Sequence, residues 1–247
     1  MSHLSSSQLP SNLPRRFEST RWSIVADARH GTPASARVAL QELCRAYWYP
    51  IYSFVRRKGL APESAQDVTQ SFFVRVLERD FFDAANPHRG RLRSFLLKAA
   101  QNHLISCQRS DAALKRSPQR AILSLNQLES EARFQLEPSD VQTAERSFER
   151  QWALTVIQRA MDRLATELTD KLGSQHAARL MQLLTGQAED VSLAAAATEL
   201  QTTEAAMKVR MHRIRGRYRQ ILRLEVADTV SETVDVDEEL RNLLDAL

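Results

Sequence analysis

Glycine and proline are scarce in this sequence, with 6 and 8 residues among 247. Because the turns of all-β sandwiches and barrels use these residues heavily, their scarcity disfavours such folds. Hydrophobic residues make up 43% of the chain and charged residues 26%, which is enough apolar surface to form a core. Alanine, leucine, glutamine, glutamate and arginine recur throughout, and these residues favour helices. The composition therefore predicts an all-α fold.

Long apolar runs, a signal peptide and a cysteine framework are also missing from the sequence. No stretch approaches the run of about 18 apolar residues that a membrane span requires. Residues 1–14 are rich in serine and lack the apolar centre of a signal peptide. The two cysteines, Cys44 and Cys107, are too few to form a disulfide framework. We expect a cytoplasmic protein with free thiols and no membrane contact.

Motifs of catalysis and cofactor binding are absent as well. The sequence has no glycine-rich phosphate loop, no H-E-x-x-H pair and no G-x-S-x-G turn. His103 and Cys107 lie four residues apart and could share one helix face. A zinc site needs four ligands, however, and no C-x-x-C pair accompanies these two residues. We therefore expect no catalytic residue, no metal and no cofactor, in a protein that is not an enzyme.

Charge is distributed in blocks around a modest net charge of +4. Residues 89–120 contain eight basic side chains and one acidic one, and residues 204–223 contain seven basic and one acidic. Residues 224–247 contain eight acidic side chains and one arginine. Two separate basic blocks indicate two contacts with a polyanion such as nucleic acid. For either block alone, a solvated helix face is the alternative interpretation.

Apolar periodicity divides the chain into two helical regions. The first contains stripes at helical spacing, such as Leu43, Tyr47 and Phe54, and the second opens with a long amphipathic helix. Between the two regions the periodicity fades, with one short helical turn predicted at residues 123–128. The predicted organisation is a disordered leader (1–16), a first helical domain (17–112), a linker (113–143), a second helical domain (144–224) and an acidic tail (225–247).

The strongest local pattern is a helix-turn-helix in the second domain. A short alanine-rich helix over residues 193–200 is followed by a three-residue turn and by a basic helix from Glu204, with Thr203 as the predicted N-cap. In this layout the second helix can enter the major groove of DNA. The alternative is an ordinary amphipathic helix pair with an arginine-rich outer face.

Three segments resemble motifs of one known family, in the order of that family. Residues 66–77 (QDVTQSFFVRVL) and 89–102 (beginning RGRLRSFL) resemble region 2 of bacterial sigma-70 family sigma factors of the extracytoplasmic-function (ECF) group. Residues 193–222 resemble region 4 of the same group. Residues 20–23 (TRWS) and 44–50 (CRAYWYP) further resemble a planctomycete-type branch.

This resemblance implies an alternative sigma factor, which binds core RNA polymerase and directs promoter recognition and transcription initiation. The family surface that binds polymerase maps onto Asp67, Gln70 and Phe73. Contacts with the −10 element map onto Asn86, His88, Arg89, Arg91, Lys98 and Asn102. Contacts with the −35 element map onto Lys208, Val209, Arg210, His212, Arg213 and Arg217. An anti-sigma factor is a further partner that the resemblance allows.

The sequence departs from the family pattern at two positions. Ser71 occupies a position where an acidic residue is usual, which would weaken one polymerase contact. Gln201 replaces the usual turn glycine, so either a residue with a Cβ adopts the backbone of glycine or the turn differs. Two other functions stay open at this point: a stand-alone helix-turn-helix regulator that needs no polymerase, and an interaction adaptor that does not bind DNA.

The acidic tail has its own helical pattern. An apolar face is predicted from the spacing of Val236, Leu240, Leu243, Leu244 and Leu247. Our hypothesis is that the tail folds back on the second domain, where its acidic side chains compete with DNA for the arginines. The alternative is an exposed tail that only aids solubility.

Overall fold

The structure is a computed structural model that describes residues 32–76, 78, 81–84, 91–111, 127–137, 143–186, 192–230 and 236–247. These residues form α-helices and one 3-10 turn, Phe81–Ala84, with no β-strand among them. A single antiparallel bridge joins Arg91 to Val230 within these ranges. The predicted all-α class is thus confirmed for this part of the chain, and the predicted leader lies outside it. Length and hydropathy together exclude a membrane span for each described helix.

The described helices follow the predicted periodicity in both helical regions, and one further helix lies in the predicted linker. They are α1 (Pro33–Arg57), α2 (Pro62–Val76), α3 (Leu92–Asp111), α4 (Gln127–Gln135), α5 (Ala144–Leu172), α6 (Ser174–Thr185), α7 (Leu193–Glu199), α8 (Glu204–Ala227) and α9 (Val236–Asp245).

Hydroxyl side chains define where four of these helices begin. Thr32, Thr143, Ser192 and Thr203 each accept a hydrogen bond from the backbone N–H three residues later, at 3.0–3.2 Å. Such caps satisfy backbone donors that have no partner inside the helix. The predicted cap at Thr203 is confirmed. The first helix ends at Arg57 and is followed by Gly59, whose φ of +90° is one that glycine adopts readily.

The first hydrophobic core lies among α1, α2, α3 and the N-terminal half of α5. Its largest buried side chains are aromatic, including Tyr47, Phe54 and Phe72. Trp48 stacks on Phe73 with ring centroids 5.3 Å apart. Cys44 belongs to the same core, and Cys44 and Cys107 are both thiols outside any disulfide, as predicted.

The second core is formed by the C-terminal half of α5 together with α6, α7 and α8. Its interior side chains are mostly small or unbranched, such as Ala196, Ala197 and Met207. Alanines in α7 allow its backbone to approach α8 closely, and methionine fills the irregular gaps that remain. The helix-turn-helix predicted from residues 193–222 is therefore part of this second core.

One helix, α5, contributes to both cores. Its 29 residues span about 43 Å. Phe148, Trp152 and Val156 are buried in the first core, whereas Leu164 and Leu168 are buried in the second. The sequence predicted this stripe and a domain boundary at residue 144. The structure instead shares the helix between the two cores, so part of the predicted second domain packs with the first.

The predicted linker contains a docked helix, α4, whose first two residues fall at the end of the short helical turn expected at residues 123–128, while residues 123–126 lie outside the described residues. Glu131 accepts hydrogen bonds from the Tyr52 hydroxyl at 2.6 Å and from the guanidinium of Arg56 at 3.0 Å. Arg133 lies over the ring of Tyr49, 3.8 Å from its centroid. Residues 127–137 are thus held against α1 by charge-assisted hydrogen bonds and aromatic contacts.

The C-terminal segment folds as a helix, α9, as its apolar spacing predicted. Leu243 is fully buried in the first core, with Val236 and Leu240 packed beside it. The predicted apolar face is only partly used, however, because Leu244 and Leu247 remain 61% and 46% exposed. The helix α9 therefore docks through only part of its apolar face, beside α5 and α8.

Docking of α4 should depend on pH because of Glu131. The hydrogen bond from Arg56 lowers the pKa of Glu131 below its ordinary value of 4.5. A carboxylate whose pKa is lower in the folded than in the unfolded state stabilises the fold at pH values above the unfolded-state pKa. That stabilisation is lost as the pH falls through the folded-state pKa. Glu131→Gln should therefore lower the free energy of unfolding by about 1 kcal/mol near pH 7. The difference from the parent should shrink below pH 4.5.

Urea unfolding followed by circular dichroism from about pH 7 to about pH 3 measures this effect. Asp170→Asn, which changes an exposed carboxylate on α5, serves as the charge-matched control and should show little change at any pH. A Glu131→Gln effect of the same size at every pH would contradict the assigned ion pair.

Candidate nucleic-acid interface

A cavity of about 350 Å³ opens between α2, the 3-10 turn and α3. Phe81 and Phe95 form its aromatic wall, with ring centroids 5.7 Å apart in an edge-to-face arrangement. Lys98 and Asn102, one turn apart on α3, line its rim and are exposed. An aromatic wall beside an amide and a cation can hold a planar base by stacking and by hydrogen bonds to its edge.

His103 lies at the inner end of this cavity and joins α3 to α2. Its Nε2 atom is 2.8 Å from the Ser71 hydroxyl and 3.5 Å from the Cys107 sulfur. Burial, together with the nearby Arg75 cation, lowers the pKa of His103. Within the described ranges, no cluster of three or more His, Cys, Asp or Glu side chains could hold a metal ion. In this structure His103 links two helices through Ser71, the residue that departs from the family pattern.

The predicted polymerase-binding residues of α2 divide into surface and core. Asp67 is exposed and Gln70 is half-buried, so both reach the outer face of the helix. Phe73 is fully buried, between the rings of Trp48 and Phe72. The structure therefore corrects the assignment of Phe73. A side chain inside the core cannot contact a partner, so Phe73 packs beneath the surface of α2 and does not form part of it.

The predicted −10 residues are only partly brought together. Lys98 and Asn102 share the cavity, while Asn86, His88 and Arg89 lie outside the described residues. Arg91 is turned toward the C-terminal helix, where its guanidinium pairs with Glu238 at 2.9 Å and Glu239 at 2.7 Å. In this structure the charge of Arg91 is therefore engaged within the protein.

In the second core, a tight turn connects α7 to α8. Gln201 adopts φ +50°, in the left-handed region that favours glycine. The turn is closed by a hydrogen bond of 2.8 Å from the Thr202 N–H to the Ala197 carbonyl. Of the two possibilities that the sequence left open, the structure shows the first: a residue with a Cβ takes the glycine backbone.

The N-terminal half of α8 presents most of the predicted −35 residues on its surface. Lys208, Val209, His212 and Arg213 are exposed, and Arg210 is half-buried. The opposite face is apolar and buried through Met207, Met211 and Ile214. The helix thus offers one cationic face while its other face is fixed in the second core, as a major-groove helix requires.

Arg217 differs from the other predicted −35 residues. Its guanidinium donates two hydrogen bonds to Glu167 of α5, at 2.7 and 2.8 Å. This bidentate pair lowers the pKa of Glu167 and raises that of Arg217. The geometry makes Arg217 a structural link between α8 and α5 in this structure.

The sequence analysis missed the aromatic wall of the cavity. Apolar spacing counts Phe95 as a buried position of its helix, and the segment after residue 80 is predicted as a loop that includes Phe81. No local pattern brings the two rings together, because their contact is set by the packing of the 3-10 turn against α3.

The chain was compared with known proteins at three levels. Neither the scan against protein-family models nor the searches of curated proteins and of solved structures found a match.

Strain at Gln201 gives a direct test of the helix-turn-helix. An L residue in the left-handed region costs about 1 kcal/mol of stability, which a glycine at the same position would recover. Part of the recovered stability is offset because glycine has more conformational freedom in the unfolded chain. Gln201→Gly should therefore raise the free energy of unfolding by about 0.5 kcal/mol, as measured by urea unfolding. Gln158→Gly, in the middle of α5, is the control and should lower it by about 1 kcal/mol. A loss of stability in Gln201→Gly would contradict the turn conformation.

Proposed function

We propose that this chain is an alternative sigma factor of the ECF type. It would bind core RNA polymerase in the cytoplasm, recognise a promoter through −10 and −35 contacts, and start transcription. The segments that resemble sigma-factor motifs occur in the order of that family, which supports this proposal. Two surfaces suited to nucleic acid also support it: the cavity between α2 and α3 on the first core, and the basic face of α8 on the second.

The cavity between α2 and α3 is the observation that carries the proposal. The family resemblance assigns Lys98 and Asn102 to the −10 element, and both lie on the rim of a cavity walled by two phenyl rings. A base enters such a cavity only after it leaves the duplex stack, which costs a few kcal/mol. A protein that holds an open strand needs this kind of site, whereas a regulator of closed duplex DNA does not.

The basic face of α8 supplies the duplex contact. Arg210 and Arg213 are three residues apart, so both can reach one groove. An arginine can read guanine through two hydrogen bonds, and lysine and histidine nearby can contact phosphate. This face would also suit a stand-alone helix-turn-helix regulator, so binding to polymerase separates the two proposals.

Polymerase binding is the first experiment. Asp67→Ala with Gln70→Ala should reduce co-purification with core RNA polymerase at least tenfold, about 1.4 kcal/mol, because both side chains lie on the outer face of α2. The helical circular-dichroism signal should stay unchanged. Asp162→Ala with Gln158→Ala is the matched control, since it removes the same two residue types from the exposed face of α5.

Two outcomes of that experiment would count against the proposal. If the parent protein does not bind core polymerase and does not support run-off transcription from its own upstream region, the sigma assignment fails. If the parent binds and the α2 variant binds equally well, the assigned surface is wrong.

The two DNA surfaces should respond separately to mutation. With the holoenzyme, Asn102→Ala should weaken binding of a single-stranded −10 oligonucleotide about fivefold, the effect of one hydrogen bond. Arg213→Ala should weaken binding of a −35 duplex by about 1–3 kcal/mol if it reads a guanine. Fluorescence anisotropy with both probes, taken from the promoter that run-off transcription maps, measures each effect.

Each of these two variants is the control for the other. Asn102→Ala should leave duplex binding unchanged, and Arg213→Ala should leave single-strand binding unchanged. Equal losses on both probes for either variant would contradict the assignment of separate surfaces.

A further inference from the structure

The acidic helix α9 is held by arginines that lie outside the recognition face of α8. Three successive residues, Asp237, Glu238 and Glu239, each pair with arginine. Asp237 pairs with Arg223 near the end of α8, and Glu238 pairs with Arg91 at 2.9 Å. The sequence hypothesis placed these acids on the DNA-reading arginines of the second domain; the structure places them mainly at the beginning of α3.

Backbone contacts attach the same segment to α3. The Leu92 N–H donates to the Thr229 carbonyl at 3.2 Å, next to the bridge between Arg91 and Val230. Leu92 is the first residue of α3, and the predicted −10 loop immediately precedes it. Thr229 and Val230, which follow α8, therefore contact Leu92 and Arg91. These two residues lie at the end of the segment predicted to contact the −10 element.

Arg91, which directly precedes α3, and Arg93, in the first turn of α3, differ in the partners that they would keep without α9. Arg93 also pairs with Glu149 of α5 and lies over the ring of Trp152, 4.6 Å from its centroid. The ion pairs described for Arg91 involve only Glu238 and Glu239, both on α9. If α9 moved away, Arg93 would keep a carboxylate partner, while Arg91 would present its charge to solvent.

The outer ion pairs of the α9 contact are solvent-exposed, whereas Glu239 and Leu243 of the same helix are fully buried. Glu238 and Asp237 have side chains 56% and 57% exposed, and Arg223 is 52% exposed. Ion pairs at such exposure are weak and are screened by salt. A cavity of about 550 Å³ opens beside Arg91 and is also lined by Arg93, Arg146 and the carboxylates of Glu149 and Asp245. An anion can therefore approach these arginines along the edge of the docked helix.

We propose that the groove formed by the start of α3 and the end of α8 is a phosphate-binding surface for nucleic acid, which α9 occupies in the free protein. The carboxylates of Asp237 and Glu238 take the place of backbone phosphates on Arg223 and Arg91. Nucleic acid and α9 then compete for the same arginines, so docking of α9 lowers DNA affinity. This inference rests on the proposed function for the identity of the polyanion.

The test uses the full chain with two neutralised carboxylates, Asp237→Asn with Glu238→Gln. Glu239 is left unchanged because it is fully buried between two arginines, and its loss would leave charges without a partner. Asp162→Asn with Asp170→Asn, on the exposed face of α5, removes the same net charge and is the matched control. Glu238→Gln alone serves as a second variant should the double variant fold poorly.

Binding is measured by anisotropy of a fluorescein-labelled, mixed-sequence, single-stranded DNA of about 20 nucleotides over a salt series. The α9 variant should bind about tenfold more tightly than the control at low salt, and the difference should decline as salt rises. Two additional phosphate contacts should steepen the salt slope by about 1.4. Hydrogen exchange should show faster exchange of the Leu92 amide in the α9 variant than in the control.

The outcomes separate this inference from the proposed function. Tighter binding together with faster Leu92 exchange supports it. Equal DNA affinity of the α9 variant and the control, with both folded, overturns it, as does unchanged Leu92 exchange. If core polymerase is not bound but the α9 variant still gains DNA affinity, the sigma proposal fails and the competition stands. If transcription is supported but DNA affinity does not change, only this inference fails.

Discussion

The helix α5 supplies one wall of both hydrophobic cores, and the rest of the described structure depends on this shared packing. Phe148 and Trp152 at one end close the core around α1, and Leu164 and Leu168 at the other end close the core that holds the helix-turn-helix. Because a helix of this length is stable mainly through the surfaces that it buries, loss of either core would expose half of its apolar stripe. The two candidate DNA surfaces are therefore positioned by one rigid element.

Ion pairs between helices use many of the charges that the sequence analysis counted as available to DNA. Of the basic residues in the two blocks, Arg91 and Arg93 each pair with two carboxylates, and Arg217 and Arg223 each pair with one. Charge-assisted hydrogen bonds of this kind orient helices as well as stabilise them. Net charge along a segment thus overstates its cationic surface. Exposure is the better guide, and it favours Lys98 and Arg213 as contacts with nucleic acid.

The last part of α8 couples the two cores. Ile221 is buried in the second core, and Val226, little more than one turn later, is buried in the first. Glu225 strengthens this junction by pairing with Arg159 and Arg163 of α5. The helix whose N-terminal half presents the basic face is therefore anchored at its other end against the first core and against α9. The helix α9 contacts α8 next to this junction, through the pair of Asp237 with Arg223.

The sequence by itself determined the elements: the all-helical class, the cap at Thr203, the helix of the acidic tail and the exposed basic face of α8. These features depend on local spacing and on residue type, which act within a few turns of chain. Only the tertiary structure decided which partners those elements meet. Phe73 is in the core, Phe81 and Phe95 wall a cavity, α5 serves two cores, and the acids of α9 lie on Arg91. Periodicity identifies the buried face of a helix but not its neighbour, because many helices could bury the same stripe.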